Sequence, residues 1–244
     1  MSRVFDLPLD THRHALCFCG SGARFKRCCG NGGPVRRAPH GVLLLPGFLD
    51  PAICRDWVAR LEARPRAWID VVDHERSTAD RIVRRPDPAR VTEKIDPGPL
   101  RQAIDDLVRR AFLQVEAPRF ECRLAWFERP TVLRYTPGGK YDLHADAEVW
   151  DHDSPPRRIL DRDLSLVVYL GEDLSGGELA FPNFERRLRP RAGLLVAFPS
   201  DERYAHAAPP LASGLRHAIV SWAHVAGRPR VRPQPPDDAI LLDD

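Results

Sequence analysis

The chain has 244 residues, enough to bury a full core in one main domain with a small appendage. Its apolar fraction of 43% excludes wholesale disorder, and a formal charge of +3 gives no electrostatic footprint for direct nucleic-acid binding. No apolar run approaches the ~20 residues of a membrane span, and the first residues lack the apolar stretch of a secretory signal. The expectation is a cytoplasmic protein with no membrane partner. Only Lys26, Lys94 and Lys140 of the 37 basic residues are lysines, a compositional bias towards arginine rather than a phosphate-binding signal.

Taken from the N-terminus, the first feature is dense in ligands. Cys17, Cys19, Cys28 and Cys29, four of the six cysteines, are followed or separated by glycines such as Gly20 and Gly22. Clustered thiols in a chain without a secretion signal point to metal before disulfide. Zinc prefers four thiolate or imidazole ligands in a tetrahedron, and glycines that accept positive φ let the two cysteine pairs fold back on one ion. So short a segment cannot bury a core, and structural zinc contributes roughly 10–16 kcal/mol in such peptides. A pair of disulfides or free thiols is the competing expectation. His12 and His14 lie nearby, but the thiols already complete a tetrahedron. The stretch resembles the SEC-C zinc motif, C-x-C-G-S-x-x-x-x-x-x-C-C. That resemblance implies an adaptor that docks onto other proteins or the translation machinery, over residues 1–32.

Residues 33–40, rich in Gly, Pro and Arg, read as a linker. Gly41–Leu45 reads as a strand. Asp50 before Pro51 marks a helix start, a side-chain cap followed by proline at the first helical position. Ile53, Trp57 and Leu61 repeat at helical spacing and predict one apolar face. A second helix starts near Pro99, with a stripe of Leu100, Ile104, Leu107, Val108 and Ala111. Both stripes are ordinary core faces. Between the helices, Asp73 to Asp96 is rich in Arg, Asp and Pro and reads as a solvated loop or a flap over the site.

From Glu121 the pattern changes to short β-branched and aromatic runs between turns: Cys122–Phe127, Thr131–Thr136, Leu164–Leu170, Glu178–Phe181, Leu194–Phe198 and Arg216–Val225. Many short strands without long intervening helices predict a mainly β fold with flanking helices, a jelly-roll or barrel-like double sheet over residues 41–227. Residues 228–244, rich in Pro and Asp, read as an extended or unordered end.

The chemistry is concentrated in His144-Ala145-Asp146. On a strand, H-x-D points both side chains to one side. Two histidines and one carboxylate with open positions suit a non-haem iron(II) oxygenase, and the open positions admit a 2-oxo acid and dioxygen. His206 is the preferred third ligand; His217, His152 and His224 are the alternatives. Arg216 can grip the far carboxylate of a 2-oxo acid through a planar fork. His217, next to it, would face the other way on a strand. Trp222 is a candidate to border the site, with packing in the core the preferred expectation.

The run Val132–Asp146 resembles the prolyl-4-hydroxylase-like group of 2-oxoglutarate/iron(II) dioxygenases, whose pattern there is R-Y-x-x-G-x-x-Y-x-x-H-x-D. The resemblance continues through Leu164–Leu170, Gly176–Pro182, Pro190–Gly193 and Phe198-Pro199 to His206, and on through Gly214–Trp222. It implies a double-stranded β-helix (cupin-like). It implies His144, Asp146 and His206 as iron ligands and Arg216 on the C5 carboxylate of 2-oxoglutarate. Tyr169 would hydrogen-bond the same carboxylate, Tyr135 would line the cosubstrate pocket, and ascorbate is a candidate accessory. The chain departs from the pattern at Leu179, where many relatives have threonine, and at His217, where many have tyrosine or a similar residue. Glu148 to Arg162 would then be a loop bordering the substrate. The implied reaction is hydroxylation of a protein or peptide residue, prolyl among the candidates, with release of succinate and CO2. A small-molecule or free amino acid oxygenase is the alternative, and a non-catalytic binding protein a more distant one.

Overall fold

Asp50 starts the first helix as its sequence predicts: its side chain accepts the Ala52 N–H at 2.6 Å, and Pro51 opens the helix Pro51–Glu62. In this computed structural model, residues 23–27, 41–72, 84–85, 87–151 and 154–242 are described. The four clustered cysteines, the 33–40 linker, His152 and half of the flap candidate lie outside the described residues. The helix buries Cys54, Trp57 and Leu61, a face rotated from the expected one, and Ile53 is 43% exposed. A turn at Gly98–Leu100 leads into the second helix, Arg101–Arg110, which widens to a π-helix over Ala111–Glu116 and ends in Ala117–Arg119. Its stripe of Leu100, Ile104, Leu107, Val108 and Ala111 is buried throughout.

The strands form two facing antiparallel sheets. The larger runs, in spatial order, Leu43–Leu45, Leu195–Pro199, Leu164–Tyr169, Arg216–Val225, Thr131–Tyr135, Glu93–Ile95 and Arg66–Trp68. Leu124–Phe127 joins it along the far half of Arg216–Val225. The smaller sheet runs Arg186–Leu188, Leu179–Phe181, His206–Ala208, Lys140–His144 and Arg90–Val91. The arrangement is a double-stranded β-helix with helices packed outside it.

Strand alternation divides the core in two. From Leu164–Tyr169, Leu164, Leu166 and Val168 face the helices and pack with Trp57, Leu61, Ile104 and Phe112. Val167 and Tyr169 face the other sheet and pack with Phe181, Val196, Phe198 and Val220. Both faces of this strand are buried, which is why it reads as an uninterrupted apolar run. Ser165 is the one polar residue in it.

Three regions differ from the sequence expectation. The described part of the Asp73 to Asp96 segment is sheet rather than loop: Arg84–Arg85 pairs with Val71–Val72, Arg90–Val91 with Lys140–His144, and Glu93–Ile95 with Thr131–Tyr135. Glu148 to Arg162 contains a hairpin, Glu148–Asp151 against Ser154–Arg158. The tail is extended, but it is also fastened. The Val231 and Arg232 N–H groups donate to the Asp161 carboxylate, and Ile240–Leu241 pairs with Leu124–Phe127. Short polar strands of this kind carry no apolar periodicity of their own, so partners distant in sequence decide them.

Candidate metal and cosubstrate site

His144 ends the strand Lys140–His144, and His206 begins His206–Ala208; the two are cross-strand partners in the smaller sheet. Asp146 is not on the strand. It sits in the bend after it, so the bend rather than strand alternation brings the carboxylate to the histidines. His144 Nε2 lies 3.7 Å from Asp146 Oδ1, and His206 Nε2 lies 3.7 Å from Oδ2. One ligand atom from each of the three falls within 4.8 Å of the others.

Both imidazoles are oriented by nearby backbone. His144 Nδ1 lies 2.8 Å from the Asp142 carbonyl and His206 Nδ1 lies 3.0 Å from the Tyr204 carbonyl. A carbonyl only accepts, so each Nδ1 carries the proton and each Nε2 lone pair faces the common centre, as a metal requires. Burial, then the neighbouring His206, pushes the His144 pKa down to about 3, which keeps the ring neutral. Burial opposes ionisation of Asp146, but His206, His144, Arg162 and the Ser165 hydroxyl together outweigh it and hold the carboxyl below its usual range. Two imidazoles and one carboxylate form a donor set that fits a divalent iron.

Arg216 opens the strand Arg216–Val225 opposite Tyr135 and is only 5% exposed. Its Nη1 donates to the Gly177 carbonyl at 2.8 Å, and its guanidinium lies over the Tyr135 ring at 4.4 Å and near that of Tyr169 at 5.6 Å. Gly177, at φ +63°, makes that carbonyl available; a Cβ there would press on Leu211. Arg216 Nε and the Tyr169 hydroxyl are both buried without a hydrogen-bond partner. Buried donors are normally satisfied, so these two, on a guanidinium and a ring 5.6 Å apart, fit the carboxylate of a bound acid.

One cavity of about 480 Å³, including its mouth, is lined by His144, Asp146, His206, Tyr135 and Arg216 together. Tyr169 stands behind its wall rather than in it. Of the alternative histidines, His217 faces away as alternation predicts and meets Glu62 at 2.8 Å. His224 stacks on Trp126 beside Asp163.

Sequence reasoning weighed Trp222 and Leu179 but gave no role at the site to Arg162, Tyr141, Arg90 or Ser165. Trp222 lines the cavity instead of packing away from it, with the Arg162 guanidinium 3.7 Å from its ring. Arg162 also forks onto Glu128 and reaches the Asp146 carbonyl. Tyr141 stacks on His144 with ring centroids 3.5 Å apart, and Arg90 lies over its other side. Leu179 makes its part of the wall apolar. Ser165 donates to Asp146 Oδ2 at 2.7 Å. Only Ser165, a lone hydroxyl in an apolar run, and Tyr141, inside the H-x-D context, left a signal that could have been read.

With known proteins, residues 130–224 match the 2OG-Fe(II) oxygenase superfamily and residues 15–31 the SEC-C motif. A stretch of 92 residues is 37% identical to prolyl 3-hydroxylase 3 from Homo sapiens; it spans 34% of this chain and only 12% of that protein. The fold is similar to that of a viral collagen prolyl hydroxylase from Paramecium Bursaria Chlorella virus-1, solved with 2OG. The TM-score is 0.50 and the identity 20%, covering 75% of this chain and 95% of that one. It is similar also to a Trichoplax adhaerens prolyl hydroxylase solved with a hypoxia inducible factor oxygen degradation domain peptide fragment. There the TM-score is 0.52 and the identity 17%, over 75% and 83% of the two chains. Among the described residues no helix is long and apolar enough to cross a membrane.

Proposed function

Residues 130–224 match the 2OG-Fe(II) oxygenase superfamily, and from that match we propose that the chain hydroxylates a residue of a protein or peptide, a prolyl residue first among the candidates. The observation that carries this reading is the single cavity lined by His144, Asp146, His206 and Arg216. The triad would hold iron(II). Arg216 would bind the far carboxylate of 2-oxoglutarate, with Tyr169 donating to it from behind and Tyr135 shaping the pocket. Bound iron(II) supplies activation of dioxygen, coupled to decarboxylation of 2-oxoglutarate to succinate and CO2, with one oxygen atom passing to a C–H bond of the substrate. The protein's own part is to hold the two imidazoles oriented, the carboxylate charged and the guanidinium aimed, and to keep the reacting groups in register. The prolyl preference draws on the human prolyl 3-hydroxylase 3 likeness, and the peptide preference on the peptide bound by the Trichoplax protein.

The test is incubation with iron(II), 2-oxoglutarate, ascorbate, dioxygen and proline-containing peptides, then with lysate proteins and metabolites, against the His144→Ala variant. Succinate and a peptide or protein heavier by one oxygen atom are expected. An oxygenated metabolite with no modified protein would favour the small-molecule alternative.

The proposal extends to the appendage. Residues 1–32 would bind zinc through Cys17, Cys19, Cys28 and Cys29, with 33–40 as a linker to the oxygenase domain 41–227 and 228–244 as a tail. The zinc segment would recruit a translation-associated partner in the cytoplasm. Metal analysis should find about one zinc per chain. That zinc should survive substitution of Cys54 or Cys122, both described as free thiols, but not of Cys17 or Cys28.

A further inference from the structure

Ser165 is 1% exposed and projects from the larger sheet towards the smaller one. Its hydroxyl donates to Asp146 Oδ2 at 2.7 Å and lies 2.7 Å from the hydroxyl of Ser200. Ser200, 2% exposed, is fixed at both ends of its backbone: its N–H donates to the Asp163 carbonyl and its carbonyl accepts the Ala147 N–H, each at 3.0 Å. A serine has one hydroxyl hydrogen. Ser165 gives its hydrogen to the carboxylate, so Ser200 must donate to Ser165. The relay therefore runs in one direction, Ser200 to Ser165 to Asp146 Oδ2, and each bond polarises the next in a site shielded from water. Among the described residues no hydrogen bond reaches Oδ1, the oxygen 3.7 Å from His144 Nε2.

We propose that Ser165 is a positioning residue that restricts Asp146 to a single metal bond through Oδ1. The inference rests on the iron and 2-oxoglutarate reading above. A carboxylate can grip a cation with one oxygen or with both. Two histidines and one carboxylate oxygen leave places for a chelating 2-oxo acid and for dioxygen. A second carboxylate oxygen would take one of those places. The charge-assisted bond from Ser165 occupies Oδ2 and fixes the plane of the group, and the fold reaches across from the opposite sheet to make it.

The test is anaerobic. Iron(II)-loaded protein is titrated with 2-oxoglutarate while the visible absorption of the iron(II)–2-oxo acid chelate is followed; iron(II) affinity is measured separately without cosubstrate. In Ser165→Ala, 2-oxoglutarate should bind about tenfold more weakly, equivalent to about 1.4 kcal/mol. Iron(II) should bind as tightly as in wild type or tighter. Ser165→Thr, which keeps the hydroxyl, should restore 2-oxoglutarate binding. Ser165→Cys, close in volume with a poor donor, carries the same expectation as the alanine variant and serves where that one does not fold. Unchanged 2-oxoglutarate affinity in a folded Ala or Cys variant, or an equal loss of iron(II) affinity, would overturn the inference and leave the proposed function standing. A wild-type protein that takes up iron(II) but gives no chelate band would instead overturn the function.

Discussion

The metal end and the carboxylate end of the cavity are prepared in opposite ways. At the metal end every polar atom not aimed at the centre has a partner: the two Nδ1 groups have carbonyls, and Oδ2 has Ser165. At the carboxylate end Arg216 is held by one bond to Gly177, while its Nε and the neighbouring Tyr169 hydroxyl have none. Full satisfaction fixes geometry before a ligand arrives. Unsatisfied buried donors cost the empty protein stability, on the order of 1–3 kcal/mol each, which a carboxylate returns when it binds. One end is therefore organised for position and the other for affinity.

Substitutions at the two ends should fail differently. The largest effect is expected for His144→Ala or Asp146→Ala. Each should abolish iron(II) binding and succinate formation while leaving the melting temperature of the metal-free protein close to wild type. Unchanged turnover in either would remove the assignment. Arg216→Lys comes next. A point charge cannot reproduce the fork, so 2-oxoglutarate should bind about 10–100-fold more weakly while iron(II) content is kept. Tyr169→Phe is smaller and more informative. It should weaken 2-oxoglutarate about tenfold, the lower end for one hydrogen bond to a charged group. Without ligand the variant should be as stable as wild type or more so, because it deletes an unpartnered hydroxyl. Lower stability of the empty variant would show that the hydroxyl has a structural partner and that the two ends do not differ as described.

Legibility in the sequence follows the same division. The buried strands Leu164–Tyr169 and Arg216–Val225 and the stripe of the second helix were readable because burial imposes periodicity. The convergence of His144, Asp146, His206 and Arg216 on one cavity was readable because those residue types at that spacing are what an iron and 2-oxo acid site would need. The route to the geometry was less readable. Strand alternation was the wrong reason for pairing His144 with Asp146, since a bend does it. Arg162, Arg90 and Trp222 reach the cavity through contacts between segments far apart in the chain, Arg162 through Glu128 and Arg90 through pairing of its strand with Lys140–His144. Nothing local marks such residues.

A third buried region sharpens the contrast with the smallest effect. Glu116, in the π-helical Ala111–Glu116, is 0% exposed, and both its carboxylate oxygens lack a partner. Unlike Arg216 and Tyr169 it does not line or back the cavity, so no ligand compensates it. Burial raises its pKa well above the usual carboxylate range. The folded state therefore holds a proton that the unfolded state releases as pH rises above the ordinary glutamate value. Stability contributed by the protonated form is complete below that value and is lost as pH climbs through the raised one. Glu116→Gln, which cannot ionise, should remove this pH dependence. At neutral to mildly alkaline pH its melting temperature should exceed wild type by about 2–4 °C, the shift that about 1 kcal/mol produces in a chain of this size. The gain should shrink towards pH 4 and be the same with and without 2-oxoglutarate, whereas the Tyr169→Phe difference should change when the ligand is added. A Glu116→Gln gain that vanished on adding 2-oxoglutarate would place Glu116 in communication with the cavity and undo the distinction between donors that await a ligand and an acid that does not.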